Sequence, residues 1–135
     1  MLWLYRYQEG DRFDQAPRKG AGRGVSFLAD GDSQRIIDVS PGYLLVSLDA
    51  KTGIPDPNFG ENGVVDLFVG VRNGDDPRYV YPEIGLSAPP LVMNDVIVVG
   101  AAHRGGGRPR SKFNTKGDVR GYDAVSYTHL RAHET

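Results

Sequence analysis

Gly42-Tyr43-Leu44-Leu45-Val46-Ser47-Leu48-Asp49-Ala50-Lys51-Thr52-Gly53 is a short apolar run, entered through Pro41-Gly42 and left through Lys51-Thr52-Gly53. Such a run between turn signals reads as a β-strand, because a helix needs ten or more residues with an i, i+3, i+4, i+7 apolar stripe. The pattern returns as Gly117-Asp118-Val119-Arg120-Gly121-Tyr122-Asp123-Ala124, which sets Asp49 and Asp123 74 positions apart. Each copy follows a hairpin-like pair of apolar runs. The spacing exceeds a minimal four-stranded unit, so one unit carries an inserted loop. Repeats of this kind bury one face against the next, and a few of them cannot close a core.

Outward from this stretch, period-2 runs predict strands at Leu2–Tyr7, Gly24–Leu28, Arg35–Val39, Tyr43–Asp49, Val64–Leu67, Leu91–Met93, Val96–Gly100 and Val119–Asp123. Turn clusters separate them, among them Asp30-Gly31-Asp32, Asn62-Gly63 and Asn94-Asp95. No helical stripe of ten residues occurs before residue 124. The class is therefore all-β: a sandwich, a barrel or propeller blades, with the internal repeat favouring blades.

Composition agrees. The 135 residues include 18 Gly and 9 Pro, a nearly doubled glycine content that suits a turn-rich β protein. A net charge of -1 supplies no global field toward nucleic acid or an anionic membrane. With no cysteine, disulfides, thiolate metal sites and cysteine nucleophiles are excluded. Apolar runs such as Val96–Val99 are too short for a transmembrane helix, and residues 1–15 lack the pattern of a signal peptide.

Few constellations point to chemistry. Gly20-Ala21-Gly22-Arg23-Gly24 leads into a strand rather than a helix, which argues against a dinucleotide or P-loop phosphate site, while Arg23 remains able to meet a carboxylate ligand. Asp30-Gly31-Asp32 lacks the distal ligands of a calcium loop and reads as a hairpin turn. From Val96 through Gly117 no acidic residue occurs, while Arg104, Arg108, Arg110, Lys112 and Lys116 follow His103. This stretch is either a solvated basic loop or a site for a polyanionic small ligand. Nucleic acid is poorly supported, since Phe113 is the sole interleaved aromatic. Spacing alone argues for no Ser/His/Asp arrangement and no paired-carboxylate site.

The order of pieces is more specific than any one of them. Trp3-Leu4-Tyr5-Arg6 is followed by Glu9-Gly10-Asp11-Arg12, Ala16-Pro17-Arg18, Gly22-Arg23-Gly24-Val25, Pro41-Gly42-Tyr43 and Leu48–Gly53. Phe59-Gly60, Asn62-Gly63, Val65-Asp66-Leu67, Ser87-Ala88-Pro89-Pro90, Asp95–Ala102 and Gly117–Asp123 complete the series. This combination resembles the pyrroloquinoline quinone (PQQ) dependent dehydrogenases of the membrane glucose dehydrogenase and alcohol dehydrogenase group, over residues 2 to 124.

The resemblance implies an eight-bladed β-propeller, of which this chain would hold just under two blades. The blades of that family are joined by tryptophan-docking motifs of the form A-x-D-x-x-T-G-K-x-x-W. Asp49-Ala50-Lys51-Thr52-Gly53 fits the middle of one; no tryptophan follows, and its place falls to Phe59. Trp3 looks like the closing tryptophan of the preceding blade. The expected cofactor is PQQ resting on calcium. Arg23 would clamp a quinone carboxylate, and Ser87, Gly100, Ala101 and Ala102 would approach the quinone. In that family the catalytic aspartate and the remaining calcium ligands lie in later blades, outside this stretch; Ala-His-Arg stands where methanol-type relatives carry a ligating Glu, so no calcium ligand is expected here. The implied reaction oxidises an alcohol or sugar hydroxyl: a base takes the proton and hydride goes to the quinone C5 carbonyl.

The implied partners are a small alcohol or sugar and a quinone or cytochrome electron acceptor, with no nucleic acid. The implied location is the periplasm or the periplasmic face of the inner membrane, any membrane association lying in segments outside this chain. A PQQ-like propeller serving as a non-enzymatic assembly scaffold is the alternative. Residues 1–124 are expected to be propeller and residues 125–135 a non-native tail. His129 and His133 at i, i+4 therefore carry no metal site.

Overall fold

The structure, a computed structural model, describes residues 2–14, 16, 24–69, 84–85, 89–103, 119–124 and 129–130. Apart from one helical turn, α1 (Asp11–Asp14), its regular elements are strands. They are β1 (Ser26–Asp30), β2 (Ser33–Val39), β3 (Leu44–Asp49), β4 (Val64–Asp66), β5 (Ile84–Gly85), β6 (Leu91–Met93), β7 (Val96–Val99), β8 (Ala102–His103), β9 (Arg120–Asp123) and β10 (His129–Leu130). All pairings are antiparallel. One sheet runs β1-β2-β3-β4, a second β10-β9-β7-β6, and β5 pairs with β8 as a two-stranded ribbon.

The internal repeat is visible in the registers. Arg35 lies opposite Asp49 in the first sheet, and Val96 opposite Asp123 in the second. One residue further on, Ala50 N–H donates to Gln34 O and Ala124 N–H to Asp95 O, at 2.8 and 2.7 Å. The inserted loop of the longer unit falls between β7 and β9. β10 completes four strands in the second sheet, and its two residues fall within 125–135.

The sheets share one core. Leu28, Ile37, Val39 and Leu45 of the first pack with Ile97, Val99, Tyr122 and Ala124 of the second, and Tyr43, Phe59 and Leu67 fill in from turns. In β2 the buried Ile37 and Val39 alternate with half-buried Ile36 and Asp38, the signature of a strand with one favoured face. β3 is buried on both faces from Leu44 through Leu48, so its sequence is a continuous apolar run rather than an alternation. Each fully buried Leu or Ile contributes about 1.5–3 kcal/mol, which makes this shared face the main source of cohesion.

Leu2–Tyr7 is not a strand. Leu2, Leu4 and Tyr7 are exposed, and no described strand pairs with the segment. Trp3 anchors it instead: the indole N–H donates to Ala50 O at 3.1 Å, and the ring lies against Gly53. Gly53 has φ +74, and a Cβ there would overlap the Trp3 ring, so the turn needs glycine for conformation and for space. Asp49 shapes the same turn by accepting from Lys51 and Thr52 N–H at 2.8 and 3.0 Å, bonds that hold its carboxyl below the usual range. β5 and β8 were not anticipated from periodicity; two-residue strands carry none.

Candidate functional site

The starts of β1 and β6 and the end of β7 lie at one end of the paired sheets. The Ser26 hydroxyl donates to Pro90 O, and a Cβ on Gly24 would stand 3.9 Å from Pro89 Cγ. Beyond β7 the chain passes through Gly100 and Ala101 into β8, where Ala102 lies opposite Gly85. Arg23 and Ser87 fall outside the described residues. Their neighbours do not: Gly24 adjoins Arg23, while Gly85 and Pro89 stand two positions either side of Ser87. On either side of Ser87 in the sequence, Gly85 pairs with Ala102 and Pro89 lies beside Gly24.

Small side chains leave the turn after β7 accessible. Gly100 is half-buried, and among the described residues no heavy atom lies within 4 Å of a Cβ built there. Ala101 packs against the edge of the core. From the other side the fully buried Tyr43 reaches across, its hydroxyl donating to Gly100 O at 2.7 Å. Such a turn lets another group approach its backbone closely.

Tyr43 belongs to the β2–β3 turn, in which its N–H donates to Ser40 O and Ser40 N–H to Leu44 O, both at 2.9 Å. Residues before and within α1 clamp that turn. Glu9 accepts from Ser40 Oγ and, at 3.2 Å, from Gly42 N–H. Arg12 donates to Gly42 O, to Tyr43 O at 3.1 Å and to Asp66, with its guanidinium 4.0 Å from the Phe68 ring centre. A Cβ at Gly42 would overlap the Glu9 carboxylate, so a larger residue there would have to displace Glu9 from the turn. The Glu9-Gly10-Asp11-Arg12 and Pro41-Gly42-Tyr43 motifs are therefore two halves of one contact.

A second buried cation borders the same end. Arg120 donates to Val69 O at 2.9 Å and to Leu67 O, and lies 5.9 and 5.8 Å from the Tyr43 and Tyr122 ring centres. Burial pushes Asp66 up, but the Arg12 and Phe68 N–H bonds and the Arg12 and Arg120 charges outweigh it and hold the carboxyl below its usual range. Burial raises the Tyr122 phenol. Among the described residues no three His, Cys, Asp or Glu side chains form a metal-binding group. The basic residues Arg104, Arg108, Arg110, Lys112 and Lys116 lie outside the described residues. A cleft of about 630 Å³ borders the Glu9–Arg12 clamp, lined in part by Tyr5, Tyr7, Glu61 and Asp66; among the described residues, Gly100 and Ala101 do not line it.

Residue-type patterns did not single out Tyr43, Arg35 or Arg120. The available signal was Tyr43 directly after Pro-Gly and an arginine within each repeated strand unit.

Comparison with known proteins adds the following. A family model described as the PQQ glucose/ethanol/alcohol dehydrogenase β-propeller domain matches residues 1–130. A glycerol dehydrogenase large subunit of Gluconobacter thailandicus is 31% identical over 130 residues, covering 91% of this chain and 16% of the relative. A "Probable quinate dehydrogenase (quinone)" of Xanthomonas campestris pv. juglandis is 38% identical over 77 residues, covering 57% of this chain and 8% of the relative. Among solved structures, a europium-containing methanol dehydrogenase superposes with TM-score 0.56 at 18% identity, over 95% of this chain and 18% of that one. The chain thus spans about a sixth of the length of the glycerol dehydrogenase subunit it matches.

Proposed function

This chain belongs to the PQQ glucose/ethanol/alcohol dehydrogenase β-propeller family, and from that premise we propose that it forms part of the quinone-binding face of an enzyme oxidising an alcohol or sugar hydroxyl. The sheet β1-β2-β3-β4 forms one blade and β6, β7 and β9 part of the next, just under two blades in all. Arg23 would meet a quinone carboxylate, Ser87 would donate its hydroxyl, and Gly100, Ala101 and Ala102 would offer backbone in close approach. The observation that carries this reading is the convergence of the three segments at one end of the sheets, through Gly24–Pro89 and Gly85–Ala102.

The described residues fit such a group: none of them comes within 4 Å of a Cβ built on Gly100, and among them small side chains leave its backbone accessible. When bound, PQQ would accept the hydride of the alcohol carbon and with it both electrons. The chain's own residues bind and orient; the proton-accepting base and the metal ligands, calcium by expectation, are assigned to other parts of the enzyme. The proposed setting is the periplasm or the periplasmic face of the inner membrane, with a quinone or cytochrome as electron acceptor. Residues 125–135 are proposed to be a non-native tail, a point settled by sequencing the locus through codon 124.

The test is PQQ titration of the full-length apoprotein that carries this chain. Wild type is expected to bind, and Arg23→Ala to weaken binding at least about tenfold, through loss of a charge-assisted contact. Unchanged affinity in Arg23→Ala would remove that residue from the site. Failure of the wild type to bind PQQ would instead favour the scaffold reading.

A further inference from the structure

Tyr43 occupies a backbone conformation that its side chain does not favour. Its φ is +68, a left-handed conformation in which a bulky residue is unusual and glycine is at ease. The strain is of order 1–3 kcal/mol. The hydrogen bonds that close the Ser40–Leu44 turn are main-chain bonds and a Ser40 hydroxyl contact, so the turn itself could be made without a tyrosine. The side chain is nonetheless fully buried between the sheets, and its hydroxyl donates to Gly100 O in the turn of the other sheet. Filling space would need only the ring; the hydroxyl adds direction.

We infer that Tyr43 is a positioning residue for the cofactor turn: by holding Gly100 O it fixes the plane of the Gly100–Ala101 peptide, and with it the backbone offered to the quinone. The inference rests on the functional reading above. The peptide unit is planar and trans, so its carbonyl and N–H point in opposite directions. Anchoring Gly100 O toward Tyr43 therefore aims Ala101 N–H away from it. The anchor is itself rigid. Glu9 and Arg12 grip Gly42 and the Tyr43 carbonyl, and Arg120 lies 5.9 Å from the Tyr43 ring centre. The clamp, the strained residue and the turn form one chain of contacts from α1 to Gly100.

The experiment compares wild type, Tyr43→Phe and Leu45→Ala in the full-length apoprotein. Two quantities are read: hydrogen exchange over residues 100–103, and PQQ affinity by titration. In Tyr43→Phe, exchange over 100–103 is expected to accelerate about tenfold or more and PQQ affinity to fall about five- to tenfold. Leu45→Ala truncates the same core and is expected to lower the unfolding midpoint more, with PQQ affinity unchanged. The inference is overturned if exchange at 100–103 is unaltered in Tyr43→Phe. Equal PQQ affinity in Tyr43→Phe and wild type overturns it too, as does an equal loss of affinity in Leu45→Ala. Wild-type apoprotein that does not bind PQQ overturns the functional reading and this inference with it, a result distinct from a change confined to the variant.

Discussion

The Arg35 guanidinium donates to the main-chain carbonyl of Ala124 at 2.5 Å, tying β2 of one blade to the end of β9 in the next. Ala124 occupies the place in its repeat that Ala50 holds in the first, where the donor to the same carbonyl is the Trp3 indole. Phe59, standing where a docking tryptophan is expected, has no N–H on its side chain. Arg35 lies 5.8 Å from the Phe59 ring centre and supplies the missing donor. A ring and a guanidinium together perform the office of one indole.

Removing Arg35 should therefore be costly. Its other contacts, to Ser47 Oγ and Asp56 at 3.1 Å each, would be lost, leaving a largely buried carboxylate without its cation. Arg35→Leu is expected to destabilise the full-length protein by about 3 kcal/mol, measured as a shift in the urea midpoint. Adding Phe59→Trp should return about 1 kcal/mol by restoring an N–H donor. No recovery in the double variant would refute the equivalence.

Gly53→Ala forces a Cβ into the Trp3 ring at φ +74. The expected cost is at least about 2 kcal/mol. Trp3→Phe, which keeps a ring but loses the bond to Ala50 O, should cost about 1 kcal/mol. Denaturant titration of both variants checks the order; a milder effect for Gly53→Ala would show that the segment docks by its hydrogen bond alone.

Acid sensitivity should run through Asp66. Its folded carboxyl is held below the ordinary value, so the stabilisation is fully present above that range and is lost as pH falls through the lowered folded value. The stability difference between wild type and Asp66→Asn should shrink on going from about pH 7 to about pH 3. Urea unfolding across that range measures it, and a constant difference would rule the Arg12–Asp66 pair out as the source.

The isolated chain of 135 residues should not melt cooperatively. Phe27 on the outer face of one sheet, and Leu91 and Met93 on that of the other, are exposed at 55%, 56% and 61%. Apolar faces of this kind want a neighbouring blade and otherwise promote association. Calorimetry and light scattering decide; a sharp two-state melt of a monomer would contradict the expectation.

How far the sequence could be read depended on where the determining contacts lie along the chain. β2, β3, β6 and β7 were legible because each is a local apolar run between turns. Leu2–Tyr7 has the same alternation but pairs with no described strand, since a ladder needs a partner and not only a pattern. Arg35 and Arg120 look like ordinary surface cations; their burial depends on carbonyls 89 and 53 positions away. The Gly100–Ala102 turn entered through family resemblance, while its link to Tyr43 spans 57 positions and left no local trace.

The unequal connections within the two blades also bear on the order of assembly. In the first, residues 40–43 join β2 to β3, a link of four residues. In the second, residues 100–119 separate β7 from β9, a link of 20. Closing the longer link costs about 1.4 kcal/mol more chain entropy. The first blade is therefore the cheaper of the two to close and the earlier to be synthesised, which brings Tyr43 and Arg35 forward to receive Gly100 and Ala124.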